Sequence, residues 1–210
     1  IFTLSLLLGQ LLYAQIPAGY YDAASGLTGD NLRSALGTII TNGHVKLSYT
    51  PGVWNAYAYT DVLHPGSDTI WDMYSDIPGG TPAYYYILIT NQCGTSGAEG
   101  DCYSREHCLA NSYWGGITSA YQYTDLQHLN PCDQYVNNIK SNYPLGETTT
   151  PSFTSTNGSK VGLCTYPGYT DKIFEPIDSF KGDFAREWFY MFTRYKADMP
   201  TWVPSSGPAV

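Results

Sequence analysis

The chain has 210 residues, of which 43% are hydrophobic and only 13% charged, with 20 tyrosines and a formal net charge of −8. That composition excludes a disordered or low-complexity chain and fits one globular domain with a real core. It also argues against a broadly basic nucleic-acid-binding surface, because phosphate binding ordinarily leaves a cationic footprint. The charge is uneven, however. Residues 1–100 carry 2 basic and 7 acidic side chains, residues 101–210 carry 8 and 11, so positive charge is concentrated in the second half.

Residues 1–14, IFTLSLLLGQLLYA, form an apolar run of signal-peptide length ending in the small Ala14. It is too short to span a bilayer comfortably, so it is expected to be the remnant of a secretory signal, with one mature domain over 15–210. A secreted or periplasmic location follows, with no membrane contact in the mature form. A helix is expected over 27–43: Thr28 caps it, Leu27 and Leu32 form a hydrophobic staple, Leu36, Ile39 and Ile40 extend the apolar face, and Gly43 stops it. His44 and His64 read as surface or loop histidines. Residues 69–74 and 84–90 are β-rich and separated by the turn-forming IPGGTP at 77–82. Tyr84, Tyr85 and Tyr86 suit sheet packing better than a base-stacking platform.

Most of the chemically capable side chains lie in 101–143, which holds two of the four histidines and three of the five cysteines. Glu106 and His107 sit on a first strand. The β-favouring Tyr121, Tyr123, Thr124 and Leu126 suggest a second strand over 121–129. A helix should follow, with Asn130 as N-cap, Pro131 at its first position, Asp133 in its first turn, and Cys132, Val136 and Ile139 as its buried stripe. Asn137 and Lys140, three apart, would flank that stripe and face a cleft. Neighbours on a regular strand point to opposite faces, so Glu106 and His107 share a site only if the strand ends or bulges there. Downstream, residues 146–160 read as a polar loop over the cleft. Residues 183–195 read as a helix that aligns Arg186, Tyr190 and Arg194.

The segments REH at 105–107, TDLQHL at 124–129, YVNNIKSNYPLG at 135–146 and FEPIDSFKGDFAREWFYMFTRY at 174–195 together resemble the endonuclease I family of secreted bacterial nonspecific nucleases. The resemblance implies an α+β fold with a ββα-metal core. It implies His107 as general base, and Glu106 and Asn137 as ligands of Mg2+ or another divalent cation such as Mn2+ or Ca2+. The substrate would be DNA, with RNA as the alternative, and the protein a monomer. Two departures stand out. Gln127 occupies a position where family members often carry histidine, and no Lys or Arg lies between Arg105 and Lys140. Phosphate neutralisation therefore falls to Arg105, Lys140 or Arg186. The chain also stops where family members usually continue, as a gene fragment would.

The chemistry is coherent in its own terms. Phosphodiester hydrolysis needs a deprotonated water, which a neutral imidazole can generate, and a hard cation on oxygen ligands polarises the phosphate. The five cysteines of an exported chain suggest two disulfides and one free thiol; Cys93 and Cys102 could close a Gly-rich loop and Cys108 and Cys132 could tie strand to helix, with the connectivity left open by the sequence. A zinc set drawn from Cys102, His107, Cys108, His128 and Cys132 lacks paired C-x2-C spacing. The competing reading is a secreted binding or surface-associated module that keeps the fold without the activity.

Overall fold

The computed structural model describes residues 16–202. The expected signal segment and the last eight residues lie outside the described residues. At the centre, β1 (Tyr103–His107) pairs antiparallel with β2 (Leu129–Asp133), and α3 (Gln134–Lys140) follows β2 directly. This is the expected strand, strand and helix order, with two boundaries moved.

The second strand is Leu129–Asp133, not 121–129. Its register puts Glu106 opposite Asn130 and His107 opposite Leu129. The flanking bonds, Cys108 N to the His128 carbonyl at 2.8 Å and Gln134 N to the Cys102 carbonyl at 3.1 Å, make 102↔134 and 108↔128 the bonded pairs. By alternation Arg105↔Pro131 is a non-bonded pair, so the N–H that proline lacks is not required by the ladder. The Asn130-Pro131 pair is thus accommodated inside a strand although it reads as a helix start. The N-cap of α3 is Asp133, whose Oδ1 accepts from Val136 N at 2.8 Å.

Residues 121–124 form a 3-10 turn instead of a strand. The β-rich segments around 70 and 87 meet through the isolated bridge Thr69↔Ile87 and the bonds Ile70 N to the Tyr86 carbonyl and Leu88 N to the Asp68 carbonyl, at 2.8 and 2.7 Å, while Ile70 also bridges back to Val62. Tyr84 and Tyr86 pack beside them with both hydroxyls on Asp133 Oδ2, at 2.8 and 2.6 Å. Their role is to clamp the start of α3. The polar stretch expected to be a loop contains β3 (Pro151–Thr154), which joins β4 (Lys160–Leu163) and β5 (Lys172–Glu175) in an antiparallel sheet.

Helix α1 (Gly29–Thr41) forms where the periodicity places it, with Thr28 at the N-cap position but making no side-chain capping bond, and packs on α4 (Asp178–Arg194), which starts five residues before the expected helix. Arg33 Nε donates to the Phe192 carbonyl at 2.9 Å, and a Cβ at Gly37 would meet the Thr193 carbonyl oxygen at 2.7 Å, so only glycine permits this approach. A short helix α2 (Trp54–Thr60) buries Tyr57, whose hydroxyl donates to the Leu129 carbonyl at 3.1 Å. The main core joins Met73, Tyr74, Val136, Val161, Phe174, Phe180 and Phe184, tying β2–α3 to the second sheet and α4. Among the described residues no helix is long and apolar enough to cross a membrane.

Cys93 and Cys102 form a disulfide, whereas Cys108, Cys132 and Cys164 are free thiols. The expected Cys108–Cys132 bond is therefore corrected: both thiols are buried in the core, where they pack as small apolar groups.

Candidate active site

The regular register of β1 sends its alternate side chains to two faces. On one face lie Arg105 and His107. His107 is only 6% exposed, and its ring sits against Tyr49, Trp114, Tyr123 and His128, with ring centroids 5.2 to 6.4 Å away. Its Nε2 lies 3.0 Å from the Tyr123 carbonyl oxygen. A carbonyl only accepts, so Nε2 carries the hydrogen, and Nδ1 of the neutral ring keeps the lone pair. His128 makes the same bond one residue earlier, Nε2 to the Gln122 carbonyl at 2.9 Å. The turn at 121–124 thus fixes both histidines with backbone oxygens. Burial, aided by His128, pushes the His107 pKa down to about 3, against the Tyr123 bond, and burial pushes His128 down to about 4. Both rings are neutral at physiological pH.

Arg105 shares this face. Its guanidinium lies 3.5 Å from the Tyr49 ring centroid and 4.1 Å from that of Trp54, and it donates to the Tyr49 carbonyl and, at 3.0 Å, to Thr50 Oγ1. Three supports hold the cation beside His107.

The other face carries Ser104, Glu106 and Asn130. Glu106 Oε1 meets the Lys140 ammonium at 2.5 Å, with side-chain exposures of 10% and 0%. Burial favours the neutral form of each partner. Their contact favours the charged forms together and holds the Lys140 ammonium above its usual pKa. Asn137, one turn earlier on α3, places its amide nitrogen 3.4 Å from Ser104 Oγ. The structure therefore gathers Glu106, Lys140, Asn137 and Ser104 through α3, and holds His107 with Arg105 on the opposite face. The phosphate contact expected of Lys140 is not open to it here, because its charge is fully buried and engaged.

Arg186 is 72% exposed on α4 and paired with Asp183. It lines a groove of about 290 Å³ with Trp71, Gln127, Asn130, Glu187 and Tyr190. The rest of its expected stripe turns inward. Asp125 accepts from Arg194 at 2.7 Å, Tyr190 at 3.0 Å and Tyr195 at 2.6 Å, which makes Arg194 a structural cation. Gln127 is exposed on the groove wall, while Asn130 donates to both oxygens of Glu187 at 3.0 and 3.1 Å.

Three participants were missed from the sequence. Ser104 was legible in principle, two residues before Glu106 on the same strand face. Tyr49 comes from a distant segment, and Tyr123 acts through a backbone oxygen that no side-chain motif reports.

The donors can be tested against a hard dication. A carboxylate and an amide oxygen are suitable ligand types, and a buried Glu106 already needs a counter-charge. Among the described residues no group of three or more His, Cys, Asp or Glu side chains is arranged to hold a metal, so this pair would need water or substrate oxygens to complete a shell. The zinc alternative loses Cys102 to its disulfide. The constraint is Lys140. A dication and an ammonium roughly 4 Å apart on one carboxylate repel by roughly 8 kcal/mol at an effective dielectric of about 20. A cation on Glu106 and Asn137 therefore requires the ammonium to move off Glu106.

A sequence profile of Endonuclease I matches residues 28–206. The chain is similar to the extracellular ribonuclease of Bacillus subtilis (strain 168), 34% identical over 201 residues that cover 90% of this chain and 60% of that protein. It is also similar to the extracellular ribonuclease of Bacillus amyloliquefaciens, 35% identical over 177 residues covering 84% and 53%. The chain thus spans between about half and three fifths of the length of these relatives. No solved structure matches it. With the profile covering most of the sequence and the β1–β2–α3 arrangement carrying REH and the asparagine of the VN pair, the chain belongs to the endonuclease I family.

Proposed function

We propose that this chain is the catalytic region of an exported, metal-dependent nuclease that hydrolyses phosphodiester bonds with little sequence preference. DNA is the substrate expected from the family resemblance. The names of the two Bacillus relatives make RNA the second substrate to test.

The observation that carries the reading is the Nε2–Tyr123 hydrogen bond, which fixes the tautomer of the buried, neutral His107 and leaves Nδ1 as the proton acceptor. His107 takes a proton from the attacking water. Arg105, fixed on the same strand face, contributes positive charge for the substrate phosphate, and Arg186 offers a second cation in the groove it lines with Asn130, on the Glu106 face. Glu106 and Asn137 are the residues that would hold the divalent cation. When bound, the ion would supply charge to a phosphate oxygen and to the leaving oxygen. Glu106 and His107 face apart along the regular register of β1, so the reading requires the substrate phosphate and its attacking water to be reached from both faces at this end of the strand.

One observation favours the binding-module reading: His107 is only 6% exposed. Plasmid DNA and single-stranded RNA incubated with Mg2+, with and without excess EDTA, separate the two. The nuclease reading expects degradation that EDTA abolishes, with smooth product distributions and a rate that falls as salt rises. Cleavage that persists in EDTA would remove the metal from the account, and no cleavage at any Mg2+ concentration would leave the binding module.

A further inference from the structure

We infer that Lys140 is a tethered counter-ion that a divalent cation must displace from Glu106, so that Lys140 sets the metal affinity of this site. The inference rests on the reading above that Glu106 holds the ion.

A lysine with no exposed side-chain surface is retained in a core only where its charge is matched, and Glu106 supplies the match at 2.5 Å. Among the described residues no other cation pairs with Glu106. Arg105 points to the opposite face, where Tyr49, Trp54 and Thr50 position it, while Arg186 sits at the surface with Asp183. The neutral donor across the strand, Asn130, commits its amide to Glu187 instead of Glu106. The carboxylate therefore has one principal counter-charge, and it is covalently part of α3.

The position of Lys140 suits an exchangeable cation. It ends a helix of seven residues, beside the carbonyl end where the backbone dipole favours positive charge. Its ammonium is a compact point charge with three rotatable donors, so it can change partner without matching the fixed geometry that an arginine fork demands. In the metal-free protein the ammonium neutralises Glu106 and keeps the β1–α3 packing intact. When a dication arrives, the ammonium turns toward the end of α3 and the carboxylate changes partner without being left bare. The exchange lowers apparent affinity, because each binding event must first break a buried ion pair.

The experiment measures Mg2+ binding without nucleic acid, by calorimetric titration and by the rise in melting temperature, on the parent protein and on Lys140→Met, Lys140→Arg and Glu106→Gln. Lys140→Met should melt several degrees lower without metal and bind Mg2+ at least tenfold more tightly, with a larger metal-induced rise. Lys140→Arg should stay within about threefold of the parent, because it keeps the competing charge. Glu106→Gln should lose the response. If Lys140→Met does not fold without metal, recovery of its melting transition on adding Mg2+ supports the exchange, and failure to recover at saturating Mg2+ opposes it. Unchanged or weaker binding in Lys140→Met, with the response still lost in Glu106→Gln, overturns the exchange alone. A full response in Glu106→Gln places the ion elsewhere and overturns the assignment of Glu106 as well.

Discussion

His107 and Tyr123, sixteen residues apart, are joined by a bond from a ring nitrogen to a main-chain oxygen at 3.0 Å. The bond fixes the tautomer, and a side-chain substitution at Tyr123 leaves the carbonyl in place. Replacing Tyr123 by leucine should therefore preserve most of the base function while loosening the aromatic packing of the ring. A loss of activity from Tyr123→Leu as large as from His107→Ala, in a protein that remains folded, would show that the ring of Tyr123 does the positioning.

The pH dependence follows from the burial of the two histidines. A general base works deprotonated, and with the His107 pKa pushed down to about 3 the base form is populated throughout the neutral range. The acid limb of kcat/KM should therefore lie below about pH 5, not near the ordinary imidazole value of about 6.5. For stability the sign is equally definite. His107 and His128 have depressed folded values, so their contribution is complete above the unfolded value near 6.5 and is lost as pH falls toward 3 to 4. A kcat/KM limb near 6.5 that disappears in His107→Ala would contradict this environment for the ring.

Glu187 has the opposite linkage. Burial, opposed by bonds from Cys108 and Asn130, raises its pKa from about 4.5 to about 7. Its favourable contribution is present below 4.5 and is lost as pH rises through 7. Glu187→Gln keeps an acceptor for Asn130 and removes the titration. Its melting temperature relative to the parent should rise by several degrees between pH 4.5 and 8. A difference that stays constant over that range would mean Glu187 is ionised as readily as an exposed carboxylate.

Asp125 anchors the C-terminal end of α4 through Arg194, Tyr190 and Tyr195, with Asp125 and Arg194 side chains each 3% exposed. Removing the carboxylate strands a buried guanidinium. Asp125→Ala should lose about 3–5 kcal/mol in denaturant unfolding. A loss below about 1 kcal/mol would imply that Arg194 finds solvent or another partner.

The disulfide pattern gives a chemical count. Trapping thiols under denaturing, non-reducing conditions should label Cys108, Cys132 and Cys164, with Cys93 and Cys102 protected. Because that bond closes a loop of 9 residues, replacing both cysteines by alanine should cost roughly 2–3 kcal/mol on the loop-entropy estimate. Labelling at only one position would restore the Cys108–Cys132 bond that the sequence suggested.

Some of this architecture was legible and some was not. Helix α1 announces itself through local signals, Leu27, Thr28 and Leu32 at its start, which need no distant partner. The family resemblance likewise identified the strand, strand and helix order. The start of α3 was misread because Asn130-Pro131 is also a good N-cap and first-position pair; only the pairing phase with β1 shows that Pro131 costs no ladder bond, leaving Asp133 to cap. Residues 121–124 have strand propensity, but tertiary packing against His107 and His128 holds them in a turn. Lys140 reads as a cleft residue from its spacing of three from Asn137 on the helix flank, and nothing local reveals a buried carboxylate thirty-four residues away.

The central claim is that His107 accepts the proton while Glu106 and Asn137 hold the ion, and one paired measurement on His107→Ala tests it most directly. Initial rates on plasmid DNA and on RNA in saturating Mg2+ should fall roughly 10²- to 10⁴-fold, the range a positioned general base supplies. In the same preparation, the Mg2+-induced rise in melting temperature should match the parent's. A His107→Ala protein that cleaves at the parental rate, or one that no longer responds to Mg2+, would contradict that division of labour.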